Sequence, residues 1–175
     1  MDLPPLALSI RQPWAGAVAA GLKTIENRNW NKLTPGYGFR GAFAIHASAG
    51  MTQREYEVAR AFMLERGVLC PSPDALRFGA IIGMAEIVDA HRKCRLFHDD
   101  DRPWFMGGYG LVIRNAAILL EPIPCIGALG FFDWQKNRHA GPLPEPKPWM
   151  CAWGRQKPAP AQIEAPIDDR QGRML

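Results

Sequence analysis

The spacing of hydrophobic and polar residues changes several times along the chain, and each change predicts a different element. Pro13 precedes a run of good helix formers, WAGAVAA, that stops at Gly21, which predicts a helix of about two turns. After Gly21 the residues alternate in the manner of an extended segment, in which every second side chain lies on the same face. Glu26 and Arg28 are therefore expected to lie side by side.

The middle of the chain predicts one further helix and several strands. Residues 42–48, AFAIHAS, alternate as a strand does. Thr52 and Glu55 form a capping-box pattern at the start of an amphipathic helix. The near-continuous apolar run at 78–90 predicts a buried strand, and residues 109–124 are predicted to form two strands that divide near the centre of this segment.

These elements define a fold class and a domain boundary. About five or six short strands with two flanking helices, without regular alternation of strand and helix, predict an α+β fold built on a small β-barrel of mixed strands. From residue 136 onward proline, glycine and charged residues dominate. We therefore predict a folded domain at residues 1–135 and a proline-rich C-terminal extension at 136–175, which forms an arm or is partly disordered.

Apolar runs and cysteines indicate a cytoplasmic protein. No uninterrupted apolar run approaches the roughly 20 residues of a spanning helix, and the opening residues lack the order of a signal peptide. The four cysteines include no CxxC pair, so we expect reduced thiols and no disulfide framework. We therefore expect a cytoplasmic location and no membrane partner.

One polar loop contains metal-ligating residue types. His91, Cys94 and His98 precede the run Asp99–Asp101, but their spacing matches no familiar zinc pattern. Three adjacent aspartates in a loop are typical of solvated charge. We predict that the protein binds no metal and no cofactor.

Positive charge is concentrated near the start of the chain. The net charge is +4, and residues 10–40 contain five bases against one acid, Glu26. Such an excess attracts phosphate or carboxylate groups, although a solvated basic face is the simpler interpretation. The five bases are Arg11, Lys23, Arg28, Lys32 and Arg40.

The opening stretch, LSIRQPWAGAVAAGLKTIENRNW, resembles the signature of the ASCH domain, a PUA-like family named for the C-terminal region of activating signal cointegrator 1. FAIHAS, GAIIGMAEIVD, YGLVIRN and EPIPCIGALGFFDW agree with the family in the same order, so the resemblance covers roughly residues 6–134. It implies a small β-barrel with a cleft beside the first helix, where relatives bind RNA or nucleotides. It also implies a range of activities, including ribonucleases and amidohydrolases of acetylated cytidine.

Carried over to this sequence, the resemblance implies a cleft role for Lys23. In the amidohydrolase branch this lysine helps to activate a threonine three residues later, but here that position holds Glu26. Thr24 is the nearest hydroxyl, and strand alternation points it away from Lys23. The departure counts against the amidohydrolase reaction.

Lys23, Glu26 and Arg28 allow two interpretations. In the functional interpretation they bind a phosphate and polarise a ligand: the planar guanidinium of Arg28 donates to phosphate oxygens, and Glu26 accepts hydrogen bonds from a base or ribose. In the structural interpretation they form an ion-pair network that stabilises the corner between helix and strand. Arg11 and Gln12 precede the first helix, where they would bind an anion or cap the turn.

Other residues also have a functional and a structural interpretation. His46 and Ser48 share a strand face, and His46 would complete a ribonuclease site with Lys23 and Glu26, although a lone histidine in a strand is commonly structural. Trp30 and Tyr109 would stack on an unpaired base or pack in the core.

We therefore predict a module that binds RNA, another single-stranded nucleic acid or a nucleotide, with RNA favoured. If the protein is an enzyme, Lys23, Glu26 and His46 are the predicted catalytic residues of a metal-independent ribonuclease or a nucleoside amidohydrolase. A third possibility is an adaptor that binds a protein partner through the C-terminal extension. The predicted binding residues are Arg11, Gln12, Lys23, Glu26, Arg28, Trp30, Arg40, Ser48 and Tyr109.

Overall fold

The computed structural model describes residues 2–154 of the chain. Six strands form the framework: β1 (Leu6–Ile10), β2 (Ile25–Arg28), β3 (Gly41–Ala47), β4 (Ala80–His91), β5 (Tyr109–Pro124) and β6 (Phe131–Asp133). Three α-helices accompany them: α1 (Trp14–Ala19), α2 (Gln53–Leu64) and α3 (Pro148–Cys151). Three short 3₁₀ turns complete the elements, at Pro73–Ala75, Cys94–Leu96 and Arg102–Trp104.

All six strands belong to one curled, mixed sheet that forms a half-barrel, in the order β2-β5-β4-β3-β1-β6. β1 and β3 are parallel, and the other neighbouring pairs are antiparallel. The predicted α+β fold with a small barrel of mixed strands is confirmed.

Helix α1 lies against the sheet and defines the main core. Ala15, Val18 and Ala19 on α1 are buried in a cluster with Leu8 of β1 and Phe43 of β3. The small side chains of α1 let the helix lie close to the strands, and its position places the turn after it beside β2. This packing therefore fixes the position of the turn between α1 and β2, where the candidate site lies.

Helix α2 begins where its sequence predicts. Thr52 accepts a hydrogen bond from the backbone N–H of Glu55, and the Glu55 side chain accepts one from the backbone N–H of Thr52, so the capping box is complete. Tyr56, Ala59 and Met63 form the buried stripe of the helix.

Three features of the sheet differ from the sequence predictions. Neither β1 nor β6 had a counterpart among the predicted strands; β1 forms because β3 and β6 supply partners for both of its edges, and β6 forms by pairing with β1. The two strands predicted within residues 109–124 are a single strand, β5. Asn115 adopts a φ of 52° and the register with β4 shifts nearby, but pairing with β4 continues on both sides. β5 is a single strand because β4 is long enough to pair with both of its halves.

Part of the predicted C-terminal extension packs on the domain. Met150 of α3 is buried with Met51, Tyr56 and Phe78, and Trp153 lies against this cluster. The division at residue 135 stays a prediction, and residues 155–175 lie outside the described part of the chain. Among residues 2–154, no helix has the length and apolar character needed to cross a membrane.

Candidate functional site

The site is built at the corner between α1 and β2. Gly21 adopts a φ of 70°, a conformation that glycine tolerates well, and the backbone N–H groups of Leu22 and Lys23 both donate to the Ala17 carbonyl. This tight turn ends the helix and leads into β2. It directs the Lys23 side chain inward beneath the helix.

Lys23 is almost completely buried, with 1% of its surface exposed. Its ammonium donates hydrogen bonds to the Ile25 carbonyl and, over 3.0 Å, to Oε2 of Glu26. It also lies 5.6 Å from the centre of the Trp14 ring. Burial lowers the pKa of Lys23 from its ordinary value, and the attraction of Glu26 opposes this effect.

Glu26 links two cations. Its Oε2 accepts from Lys23, and its Oε1 lies 3.1 Å from Nε of Arg28, an ion pair that lacks hydrogen-bond geometry. Nη2 of Arg28 donates to the carbonyl of Ser9 over 2.7 Å. The alternation predicted for residues 23–30 therefore does bring Glu26 and Arg28 together, and the Arg28 guanidinium extends the ionic network from β2 to β1.

These groups line a cavity of about 270 Å³. Four of the predicted binding residues meet here, and five residues that the sequence reasoning did not select join them. The predicted residues are Arg11, Lys23, Glu26 and Arg28; the others are Ser9, Ile10, Trp14, Asn27 and Met106. We call this cavity the cleft.

A second cavity of about 340 Å³ adjoins the cleft and shares Arg11 and Trp14 with it. Arg54 and Val58 of α2 form its far side, together with the helix cap. Arg11 is paired with Glu55 at 3.1 Å, with both side chains substantially exposed. A surface groove therefore runs from Arg28 across Trp14 to Arg54, and the sequence reasoning did not identify Arg54 as part of it.

Gln12 and Trp30 are engaged within the protein. Gln12 is buried, donates to the Arg77 carbonyl over 2.7 Å and accepts from the backbone of Gly16, so it braces α1. It lies at the border of the second cavity. Trp30 packs edge-on against Phe131 and lies 5.7 Å from the Arg28 guanidinium, at the side of the cleft.

Arg40, Ser48 and Tyr109 lie apart from the cleft, and as binding residues they stay predictions. Arg40 pairs with Asp89 at 3.7 Å. The backbone N–H of Ser48 donates to the Ile10 carbonyl. Tyr109 is buried, stacks on Tyr37 at 4.2 Å and donates its hydroxyl to the Tyr37 carbonyl.

His46 is buried, packs edge-on against Phe132 and does not contact Lys23 or Glu26. Nδ1 of His46 lies 2.9 Å from Oγ of Ser9, and Nε2 lies 3.0 Å from the Cys125 carbonyl. Burial lowers the pKa of His46, and the hydrogen bond to the carbonyl opposes this effect.

The predicted solvated run Asp99–Asp101 is only partly exposed. Asp101 is buried, with 3% of its surface exposed, and it accepts a hydrogen bond from Arg114 over 2.7 Å. Burial raises the pKa of Asp101, but the hydrogen bond and charge of Arg114, together with the interactions of Thr24 and His98, outweigh this effect and lower it. Within residues 2–154, no three His, Cys, Asp or Glu side chains are grouped so that they could hold a metal ion.

Comparison with known proteins identifies the family. Human activating signal cointegrator 1 is 32% identical over 82 residues, which are 47% of this chain and 14% of that protein. The chain is an ASCH domain protein. No protein-family model matches it. Because the matched part of the human protein is about a seventh of its length, the activity and partners of the whole human protein do not transfer to this ASCH domain.

Solved structures of the ASCH protein from Zymomonas mobilis, one wild type and two point variants, are also similar to the chain. Sequence identity is 16%, the TM-scores are 0.36 to 0.37, and the similarity covers 68% of this chain and 72 to 74% of those chains.

Proposed function

We propose that this ASCH domain binds single-stranded nucleic acid or a nucleotide, with RNA favoured, in the groove formed by the cleft and the cavity beside it. The observation that carries the proposal is the linked set of Lys23, Glu26 and Arg28 in the wall of a concave surface that continues to further arginines. A concave surface with few, converging polar groups is typical of a ligand site.

The cleft itself suits one nucleotide. The side chain of Arg28 lines the cleft with 19% of its surface exposed, while its Nε lies in the ion pair with Glu26. Guanidinium groups match phosphate oxygens, and Asn27 and Trp14 add a polar and an aromatic side chain to the walls. Lys23 lies at the floor of the cleft, where its ammonium donates a hydrogen bond to Glu26 and contributes positive charge.

In this proposal the second cavity holds the phosphate of the nucleotide next to the one bound in the cleft. Arg54 is exposed on the first turn of α2, and Arg11 stands between the two cavities. Each phosphate that a cation neutralises releases counterions, so binding of a single strand weakens with a slope of about −0.7 per contact in a plot of log affinity against log salt.

Titration of a labelled single-stranded RNA at several salt concentrations tests the proposal. Arg54→Ala is expected to reduce the steepness of the salt dependence by about 0.7, because one phosphate contact is lost. Arg60→Ala is the matched control: it removes the same charge from another exposed position of α2, outside the groove. Equal slopes for wild type and both variants, or no binding, would contradict the proposal.

The same samples on a denaturing gel test the alternative that the protein is an enzyme. Lys23 and Glu26 are in contact within the cleft, which is the observation that favours a metal-independent ribonuclease or nucleoside amidohydrolase. Intact RNA at the end of the titration supports recognition alone. Cleavage of the RNA that is lost in folded Lys23→Ala protein would assign a ribonuclease. In a separate assay with acetylated cytidine as substrate, release of acetate would assign the amidohydrolase.

A further inference from the structure

A further cavity, of about 350 Å³, lies against helix α1 and shares no lining residue with the cleft. One wall consists of Pro13, Gly16, Ala17 and Ala20 of α1 and its flanks. Met63 of α2, the segment that follows α2, and the paired strands β4 and β5 supply the other walls. We call this space the α1 cavity. Its volume lies within the range of roughly 300–1,000 Å³ that is typical of small-molecule sites.

The walls of the α1 cavity are almost wholly aliphatic. Among residues 2–154, no aromatic side chain lines it, and Arg77 is the one charged residue that does. Large apolar side chains that the fold leaves exposed surround the space: Leu22, Leu69, Ile118 and Leu120. Exposed apolar side chains that are grouped around a concave surface mark a binding site for an apolar group.

Gly16 leaves room on α1 that a side chain would occupy. Outside the backbone of the helix, the nearest atom to a Cβ at this position would be Oε1 of Gln12, at an ordinary contact distance of 3.4 Å. Glycine is also a poorer helix former than leucine, so neither the packing nor the helix requires it here. A leucine at this position would project into the α1 cavity and fill part of it.

Arg77 provides the polar edge of the cavity. Nε2 of Gln12 donates to the Arg77 carbonyl over 2.7 Å, which holds this backbone against α1. Leu76 and Phe78 on either side are buried, whereas Arg77 itself is exposed. A guanidinium donates two parallel hydrogen bonds to a carboxylate, so a cation beside an apolar space suits a ligand with an apolar body and an acidic head.

We propose that the α1 cavity binds a fatty carboxylate of medium chain length, with its hydrocarbon chain between α1 and the β4–β5 pair and its carboxylate at Arg77. Walls without aromatic rings offer no stacking partner to a planar ligand, and they suit a flexible aliphatic chain. The single cation selects an acid over the corresponding alcohol. Because the cleft contributes no residue to this site, the ligand binds independently of the proposed nucleic acid.

Calorimetric titration of the full-length protein with octanoate, and separately with octanol, tests this proposal. We expect octanoate to saturate one site per chain and octanol to bind about tenfold more weakly, because it lacks the charged hydrogen-bond acceptor. Gly16→Leu should abolish the binding of both compounds, with the melting temperature as the check that the variant folds. No saturable binding of octanoate, or unchanged binding in folded Gly16→Leu protein, would overturn the proposal.

Arg77→Gln separates recognition of the carboxylate from the shape of the cavity. The substitution should weaken octanoate by about tenfold and leave octanol unchanged. Arg60→Gln removes the same charge from an exposed position of α2 outside the cavity, and should bind octanoate as the wild type does. An equal loss for octanoate and octanol in Arg77→Gln would contradict the assigned role of the guanidinium. This comparison needs no substitution within α1, so it decides the outcome even if Gly16→Leu does not fold.

Discussion

A few charged side chains of this protein are removed from solvent, among them Lys23, Glu26 and Asp101. Local alternation places Glu26 beside Arg28, and this contact could be predicted because it needs only one strand. The burial of Lys23 could not, because it depends on a helix that covers it. The hydrogen bond between Ser9 and His46 could not be predicted either, because a parallel pairing of distant strands brings the two residues opposite each other. One sequence does not specify that register.

Asp101 illustrates how burial changes the role of a charged residue. Asp101→Asn is expected to lower the free energy of unfolding at pH 7 by about 1.5–3 kcal/mol, the range for a hydrogen bond to a charged group, since Arg114 loses its ionised acceptor. Asp100→Asn, at a neighbouring side chain that is 91% exposed, is the control and should have little effect. Chemical denaturation of both variants provides the measurement.

The effect of Asp101→Asn should also depend on pH in a defined direction. The pKa of Asp101 is lowered in the folded state, so its stabilisation is present above the unfolded-state pKa and is lost as pH falls through the folded-state pKa. The stability difference between wild type and variant should therefore shrink in acid. A difference that stays constant down to the most acidic folded conditions would show that ionisation of Asp101 is not its source.

At the scale of elements, local signals predicted the helices better than the strands. The N-terminus of α2 was predicted because a capping box involves residues only three apart. β1 is five residues long, and its formation depends on two partners that are distant in sequence. β5 was divided in two because polar Arg114 and Asn115 interrupt its apolar pattern, and continuous pairing with β4 overrides that interruption.

The cap of α2 has a measurable contribution to stability. Thr52→Ala removes the side-chain oxygen that accepts from the backbone of Glu55, and should lower the free energy of unfolding by about 1 kcal/mol. Thr52→Ser retains an oxygen at the same position and should recover most of this loss. If both substitutions cost the same in denaturant titrations, the hydroxyl does not stabilise the helix.

At the scale of the whole molecule, the folded unit includes residues beyond the six-stranded sheet. The proline-rich composition after residue 136 predicted an arm, because composition does not reveal which apolar residues find a partner. Met150, Trp149 and Trp153 pack against Tyr56 of α2 and its neighbours. The described part of the extension therefore covers a face of the domain.

Met150→Ala tests whether this packing stabilises the domain. Met150 is 2% exposed, and truncation of a buried methionine costs about 2–5 kcal/mol through lost burial and the cavity left behind. Leu129→Ala removes a comparable side chain that is fully exposed and should be close to neutral. Similar melting temperatures for Met150→Ala and wild type would mean that α3 contributes little to the stability of the domain.

The pairing of β1 with β6 has a consequence for the protein while it is being made. β1 pairs with β6 from Leu6 to Leu8, and the Trp134 indole donates to the Pro4 carbonyl over 2.8 Å. On the ribosome, β1 emerges first, and one of its edges waits for a partner until residues 131–134 have left the exit tunnel. An unpaired strand edge is a template for pairing with other chains. A chain that does not yet include residues 131–134 is therefore more exposed to aggregation at β1 than the folded domain is.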